Sequence, residues 1–172
     1  MTSSQIRTAE HPSGRRIEFH PEPHQYVLNG EKLDSVTSRI HKWFPQFDAE
    51  AVARKKAERE GLHADTLIAL WENKRDQAAR FGTKIHLLAE RIIQTNDARA
   101  ADDLPENDRE CRYLEAIKSA IARVRVAYEF VETEKIVFSP SARVAGTIDI
   151  LLRSKLTGEW VVGDWKTNRE IK

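Results

Sequence analysis

Residues 134–166, "EKIVFSPSARVAGTIDILLRSKLTGEWVVGDWK", hold the reading that decides the fold. Extended slightly upstream, the stretch contains three β-type runs, "EFVETEKIVF", "RVAGTIDILLR" and "EWVVGDWK", rich in Val, Ile, Phe and Trp. "SPSA" separates the first two and "SKLTG" the last two. Links this short cannot hold a crossover helix, so the runs form an antiparallel three-strand meander.

Helices precede the meander. Tyr113, Ile117, Ala120, Ile121, Val124 and Tyr128 mark one amphipathic helix. Before it, "NDARAADDLPEND", residues 96–108, is a polar, acidic loop. A longer helix, capped by Asp65, carries Ile85, Leu88, Ala89, Ile92 and Ile93 at helical spacing. Within it, Gly82-Thr83 can break the helix or cap its continuation. Asp48 caps "AEAVARKKAERE", ended by Gly61, and Ser35 caps "VTSRIHKWF", stopped by Pro45. Further upstream, "RIEFHPEPHQYVLNGEKLDSV" reads as a β-hairpin turning at Asn29-Gly30, where both residues tolerate positive φ. Residues 1–15 are polar, with Pro12 and Gly14, and read as a flexible arm; residues 16–172 read as one domain. The fold class is mixed α and β, with helices preceding the meander in a mixed central sheet.

The bulk numbers bound the function. At 172 residues the chain suits a single core. Its 32% charged and 40% hydrophobic residues are those of an ordinary globular protein. The formal net charge is +1, so a nucleic-acid-binding surface must be a local patch. The single cysteine, Cys111, excludes a disulfide framework, a four-cysteine zinc site and a four-cysteine iron–sulfur cluster. No apolar run reaches membrane-span length, and "MTSSQIRTAEHPSGRR" lacks the apolar core of a signal peptide, which makes the cytoplasm the expected location.

Strand alternation sorts the polar residues by face. Trp160, Val162, Asp164 and Lys166 share one face of the last run; Asp149 shares its face with Thr147 and Leu151 inside the apolar "TIDILL"; Glu134 shares its face with Ile136 and Phe138. On the long helix Gly82, His86 and Glu90 lie four apart. One helix and three consecutive strands thus each offer a polar side chain: His86, Glu134, Asp149 and Asp164, with Lys166 beside the last. Converging carboxylates repel, and a bound cation relieves the repulsion. An oxygen-dominated set suits magnesium or manganese, which retain waters for chemistry. A lysine beside such a water can help deprotonate it or offset charge on a phosphate. Each piece also has a plain alternative. Asp164 with Lys166 can be a surface ion pair. His86 can be a structural helix residue, and Glu134 part of a solvated edge. "ARKKAERE" can be a solvated helix face. Trp43, Phe44 and Trp71 are read first as core residues and only second as base-stacking groups.

Taken together, "GTKIH", Glu134, "AGTIDIL" and "VVGDWKTN" resemble the PD-(D/E)XK nuclease superfamily, and most of all its RecB-like branch, which includes the mitochondrial genome maintenance exonucleases. The upstream "HQYVLNGEKLDSVTSRI" and "WENKRDQAARFGTKIH" resemble that family's entry hairpin and histidine-bearing helix, so the likeness spans about residues 19–169. It implies a restriction-endonuclease-like core. His86, Asp149, Asp164 and the backbone carbonyl of Trp165 would hold Mg2+ or Mn2+, Glu134 would act through water or orient the site, Lys166 would be the catalytic lysine, and Thr167 would support the strand end or touch a phosphate. The single cysteine excludes the cluster-bearing branches. Family members continue into a helix with a Gln-x-x-x-Tyr motif, whereas this sequence ends six residues after Lys166, so low turnover is expected of the 172 residues as given.

The combined expectation is a metal-dependent DNA nuclease. It would act as an exonuclease on a single strand or duplex end, with recombination or repair proteins as partners and no membrane. Arg54, Lys55, Lys56, Arg75, Arg80 and Lys84 are the candidates for backbone contact. Between Arg39 and Arg91 eleven basic residues face eight acidic ones, so the electrostatic support is slight. The alternative is a nuclease fold retained for nucleic-acid or protein binding without catalysis.

Overall fold

The computed structural model describes residues 5–167, which fall into two units by internal contact: residues 5–45 with 124–164, and residues 46–123 with 165–167. The first is built on a sheet and the second on helices.

In the sheet unit, four strands run in succession: β1 (Arg7–Glu10), β2 (Arg16–His20), β3 (Gln25–Leu28) and β4 (Glu31–Ser35), each antiparallel to the next. Asn29 (φ 52°) and Gly30 (φ 81°) turn β3 into β4, as the Asn-Gly signal predicts. The stretch read as a flexible arm contains β1; its pairing signal was hidden because "RTAE" has no β-type alternation and the link to β2 is longer than a two-residue turn. Ser35 then caps α1 (Val36–His41), its Oγ accepting from Ser38 N at 3.0 Å.

The meander follows as β5 (Tyr128–Ser139), β6 (Val144–Ser154) and β7 (Trp160–Gly163), with β6 antiparallel to both neighbours. β4 pairs parallel to β6, at Asp34↔Val144 and Ser35↔Ala145, so the sheet is mixed. A strand has two edges. β5 occupies one edge of β6, so β4 and β7 share the other: β4 at residues 144–145 and β7 at residues 150–153. The backbone from Gly146 to Asp149 lies between these two partial partners. β7 ends at Gly163. The reading of "EWVVGDWK" as one strand overran this end, and Asp164, Trp165 and Lys166 lie beyond the ladder. The unit's core is Ile17, Phe19, Tyr26, Leu28, Leu33, Ile136 and Ala145. Cross-strand pairs such as Ile17↔Leu28 and Phe19↔Tyr26 bring these side chains together on one face.

The helical unit contains α2 (Ala49–Glu60), α3 (Ala64–Thr95) and most of α4 (Asp108–Ala127). Asp48 caps α2 through Ala51 N at 2.9 Å, and Gly61 ends it in the left-handed region at φ 66°. α3 begins at Ala64 with His63 at its cap, so Asp65 lies in the first turn, where a carboxylate favours the helix dipole, and is not the cap. The helix continues unbroken through Gly82; Thr83 Oγ1 donates back to Ala79 O at 3.1 Å. Ala53 and Ala57 pack with Leu67, joined by Ala64, Ile68 and Trp71.

Candidate active site

The long β5–β6 hairpin places Glu134 across from Asp149. The flanking pairs Thr133↔Ile150 and Lys135↔Ile148 fix this register. Opposed residues of an antiparallel pair project to the same face. Glu134 itself has φ 50°, a left-handed value uncommon outside glycine. A carboxylate oxygen of each residue lies within 4.8 Å of the other's, and both residues are half-buried. Like charges placed directly opposite in a ladder are destabilising. The fold thus sets two carboxylates against each other at the ladder position that lies between the stretches of β6 paired with β4 and with β7. The Arg7 guanidinium donates to the Glu134 carbonyl oxygen, a long-range contact that the sequence did not signal.

Two features of the sheet hold Asp149 in place. Two residues before it, Thr147 Oγ1 lies 2.9 Å from the Tyr26 hydroxyl. Burial keeps that hydroxyl above its ordinary pKa, against the opposing effect of the Thr147 hydrogen bond. Three residues before Asp149, a Cβ on Gly146 would lie 3.0 Å from Val36 Cγ2, tighter than ordinary contact. The missing side chain at Gly146 lets α1 approach β6 closely.

In the helical unit, His86 Nε2 lies 3.1 Å from the Trp165 carbonyl oxygen. A Cβ on Gly82, one turn earlier on α3, would meet Thr167 Oγ1 at 3.9 Å. The segment 165–167 thus follows the Gly82–His86 face of α3. This brings together three residues the sequence singled out separately: His86, Trp165 and Thr167. Asp164 and Lys166 are both exposed. Because β7 stops at Gly163, strand alternation does not fix their relative orientation.

The basic candidates separate into groups. Arg80 and Lys84 line one cleft of about 470 Å3 beside Asn73, Gln77, Phe81 and Arg109. Lys84 pairs with Glu106 at 2.7 Å, which raises the lysine's pKa and lowers the glutamate's. Arg109, which the sequence reading missed, stands 3.8 Å over the Phe81 ring. Arg75 pairs with Asp76 at 3.1 Å. On α2, Arg54 pairs with Glu50 at 2.9 Å and Lys56 with Glu60 at 3.9 Å, while Lys55 is exposed.

Within the sheet unit, the carboxylate oxygens of Glu134 and Asp149 are donors that suit a hard divalent cation; within the helical unit, the His86 imidazole and the Trp165 carbonyl are a second pair of potential donors. The opposed carboxylates are the observation that favours one, since a cation removes their repulsion.

A family model described as the PD-(D/E)XK nuclease superfamily matches residues 24–172. The chain belongs to that superfamily. The mixed sheet, with β4 parallel and β5 and β7 antiparallel to β6, agrees with a PD-(D/E)XK nuclease fold. Searches of curated proteins and of solved structures return no significant match. Membership indicates a metal-dependent nuclease acting on nucleic acid. No helix among the described residues is long and apolar enough to cross a membrane.

Proposed function

We propose that the protein is a Mg2+- or Mn2+-dependent deoxyribonuclease of the RecB-like branch, acting as an exonuclease on single strands or free duplex ends. The observation that carries the metal-dependent reading is the Glu134–Asp149 pair, with carboxylate oxygens within 4.8 Å on opposed positions of one hairpin. The branch and the DNA substrate rest on the motif resemblance.

In this reading Asp149, Asp164, His86 and the Trp165 carbonyl ligate the ion, and Glu134 orients the site. The ion, when bound, supplies an acidified water and positive charge for the phosphate. Glu134 would act on the ion through water or orient the site. Lys166 would position or take a proton from the attacking water, or offset charge on the phosphate oxygens. Thr167 donates its hydroxyl to a phosphate. Lys84, Arg80, Arg75, Lys55 and Lys56 contribute to backbone binding, a salt-sensitive term.

The test is cleavage of end-labelled single- and double-stranded DNA with magnesium, with manganese and with EDTA, by the wild type and by Asp149→Asn. Metal-dependent loss of the end label that Asp149→Asn abolishes is the expected result. Binding without cleavage in every metal would leave the alternative, a non-catalytic nucleic-acid-binding module. Internal fragments in place of shortened ends would replace exonuclease by endonuclease.

A further inference from the structure

Within the sheet unit, the segment that follows β4 carries large aromatic rings in solvent. Trp43 is 80% exposed and Phe44 66% exposed, and Ile40 and Val36 of α1 are also largely uncovered. The expectation that these two rings are core residues does not hold. Trp71, by contrast, does pack, against Ala53, Ala57 and Leu67. Two adjacent, largely exposed aromatic rings beside Val36 and Ile40 make an apolar patch of the kind that marks a binding surface.

The surroundings specify the ligand. From Ser35 to Pro45 the chain carries Arg39, His41 and Lys42 and no acidic residue. Asp34, just outside, binds Arg39 at 2.9 Å and Lys42 at 2.8 Å. Arg39 is committed further, donating to the Ala142 and Arg143 carbonyls, and so pins α1 to the start of β6. Lys42 is the more exposed of the two cations and has ammonium protons to offer beyond its bond to Asp34. The ring-bearing segment is ordered: Lys42 N and Trp43 N donate to the Arg39 and Ile40 carbonyls, and Pro45 restricts Phe44 before it. Exposed rings beside a cation match an unpaired base and its phosphate, since every base offers a π face. An apolar protein partner would not call for the basic flank.

We infer that Trp43 and Phe44 form a base-stacking platform for single-stranded DNA, with Lys42 contacting the backbone. This rests on the nuclease reading and assigns its strand preference to a specific surface. The platform belongs to the same unit as Asp149 and is anchored to the same strand, β6, through Arg39 and through the Val36–Gly146 contact.

The experiment measures binding of a short, labelled oligothymidylate in EDTA, where cleavage is blocked, to the wild type, Trp43→Ala, Trp43→Phe and Phe44→Ala. Both side chains are mostly exposed, so the variants should keep the wild-type circular dichroism spectrum and melting temperature. Trp43→Ala should weaken binding by about tenfold, Phe44→Ala by severalfold, and Trp43→Phe should restore most of the affinity. Tryptophan fluorescence should be quenched by the oligonucleotide in the wild type and much less in Trp43→Ala. Wild-type affinity in folded Trp43→Ala would overturn the platform. So would a dimer that Trp43→Ala converts to monomer with oligonucleotide binding unchanged, which would make the face a self-contact. Cleavage by the wild type with magnesium separates the two readings. If it cuts while Trp43→Ala binds normally, the nuclease stands and the platform falls. If it never cuts yet loses affinity with Trp43→Ala, the platform stands and the nuclease reading falls.

Discussion

The Nε2 atom of His86 lies 3.1 Å from the backbone carbonyl oxygen of Trp165. A carbonyl can only accept, so as a hydrogen bond this contact requires the proton on Nε2. A ring nitrogen that coordinates a metal must be without its proton. The same atom therefore cannot keep this hydrogen bond and bind a cation. Nitrogen-15 NMR of the metal-free protein should show His86 with a protonated Nε2, and saturating Mg2+ should remove that proton. His86→Ala should weaken Mn2+ binding by about tenfold or more, the scale seen even for residues that only orient ligands. An Nε2 proton that survives Mg2+ saturation would exclude that atom as a ligand.

Asp149→Asn should act in opposite directions on stability and on metal binding. In the metal-free protein the change relieves repulsion from Glu134, so the melting temperature should hold or rise. Added Mn2+ should stabilise the wild type by RT ln(1 + [L]/Kd), about 2.7 kcal/mol at a hundredfold excess over Kd. The variant should lose most of that gain. Thermal melts of both proteins with EDTA and with Mn2+ measure both effects. A variant stabilised by Mn2+ as much as the wild type would remove Asp149 from the site.

Local chemistry is what the sequence displayed well. Asn29-Gly30, Ser35, Asp48 and Gly61 each perform a task confined to one turn, and the structure uses each of them so. Signals that depend on distant partners were not visible. β1 acquires its strand state from pairing with β2. β7 pairs with β6 only as far as Gly163↔Ile150, although β6 itself runs on to Val144, and alternation in "EWVVGDWK" cannot report where that pairing stops. In the site, Asp149 was conspicuous as an acid in an apolar run, and the short "SPSA" link made its opposition to Glu134 derivable. The positive φ of Glu134 and the approach of Arg7 to its carbonyl were not, because neither leaves a mark in residue order.

Asp34 gives a pH-dependent prediction. Its hydrogen bond to Lys42 holds the carboxyl below 3.8, helped by Arg39 and opposed by partial desolvation. A depressed carboxyl contributes stability above its unfolded value, and that contribution is lost as pH falls through the folded value. The melting temperatures of wild type and Asp34→Asn should therefore differ by a steady amount between about pH 5 and 7 and converge as pH falls below about 4. Acid melts of the two proteins provide the check; a gap that stays constant to low pH would assign the effect of the variant to packing.

Lys166 separates catalysis from folding. It lies beyond the β7 ladder and is exposed, so it contributes little to the sheet. If its role were an ion pair with Asp164, Lys166→Met would lower stability by about 0 to 1 kcal/mol and leave cleavage unchanged. In the proposed mechanism it moves a proton or offsets phosphate charge, and neither role is needed until the bond breaks. Lys166→Met should then keep the wild-type melting temperature. Its Mn2+ affinity should hold or rise, because one positive charge leaves the neighbourhood of the cation. Single-turnover cleavage should fall by about 10² or more, the usual scale for removing a positioned proton-transfer or charge-stabilising group. The three measurements together decide between the roles. A slower cut with intact folding and metal binding assigns Lys166 to the chemistry, and a lower melting temperature with an unchanged rate assigns it to the surface.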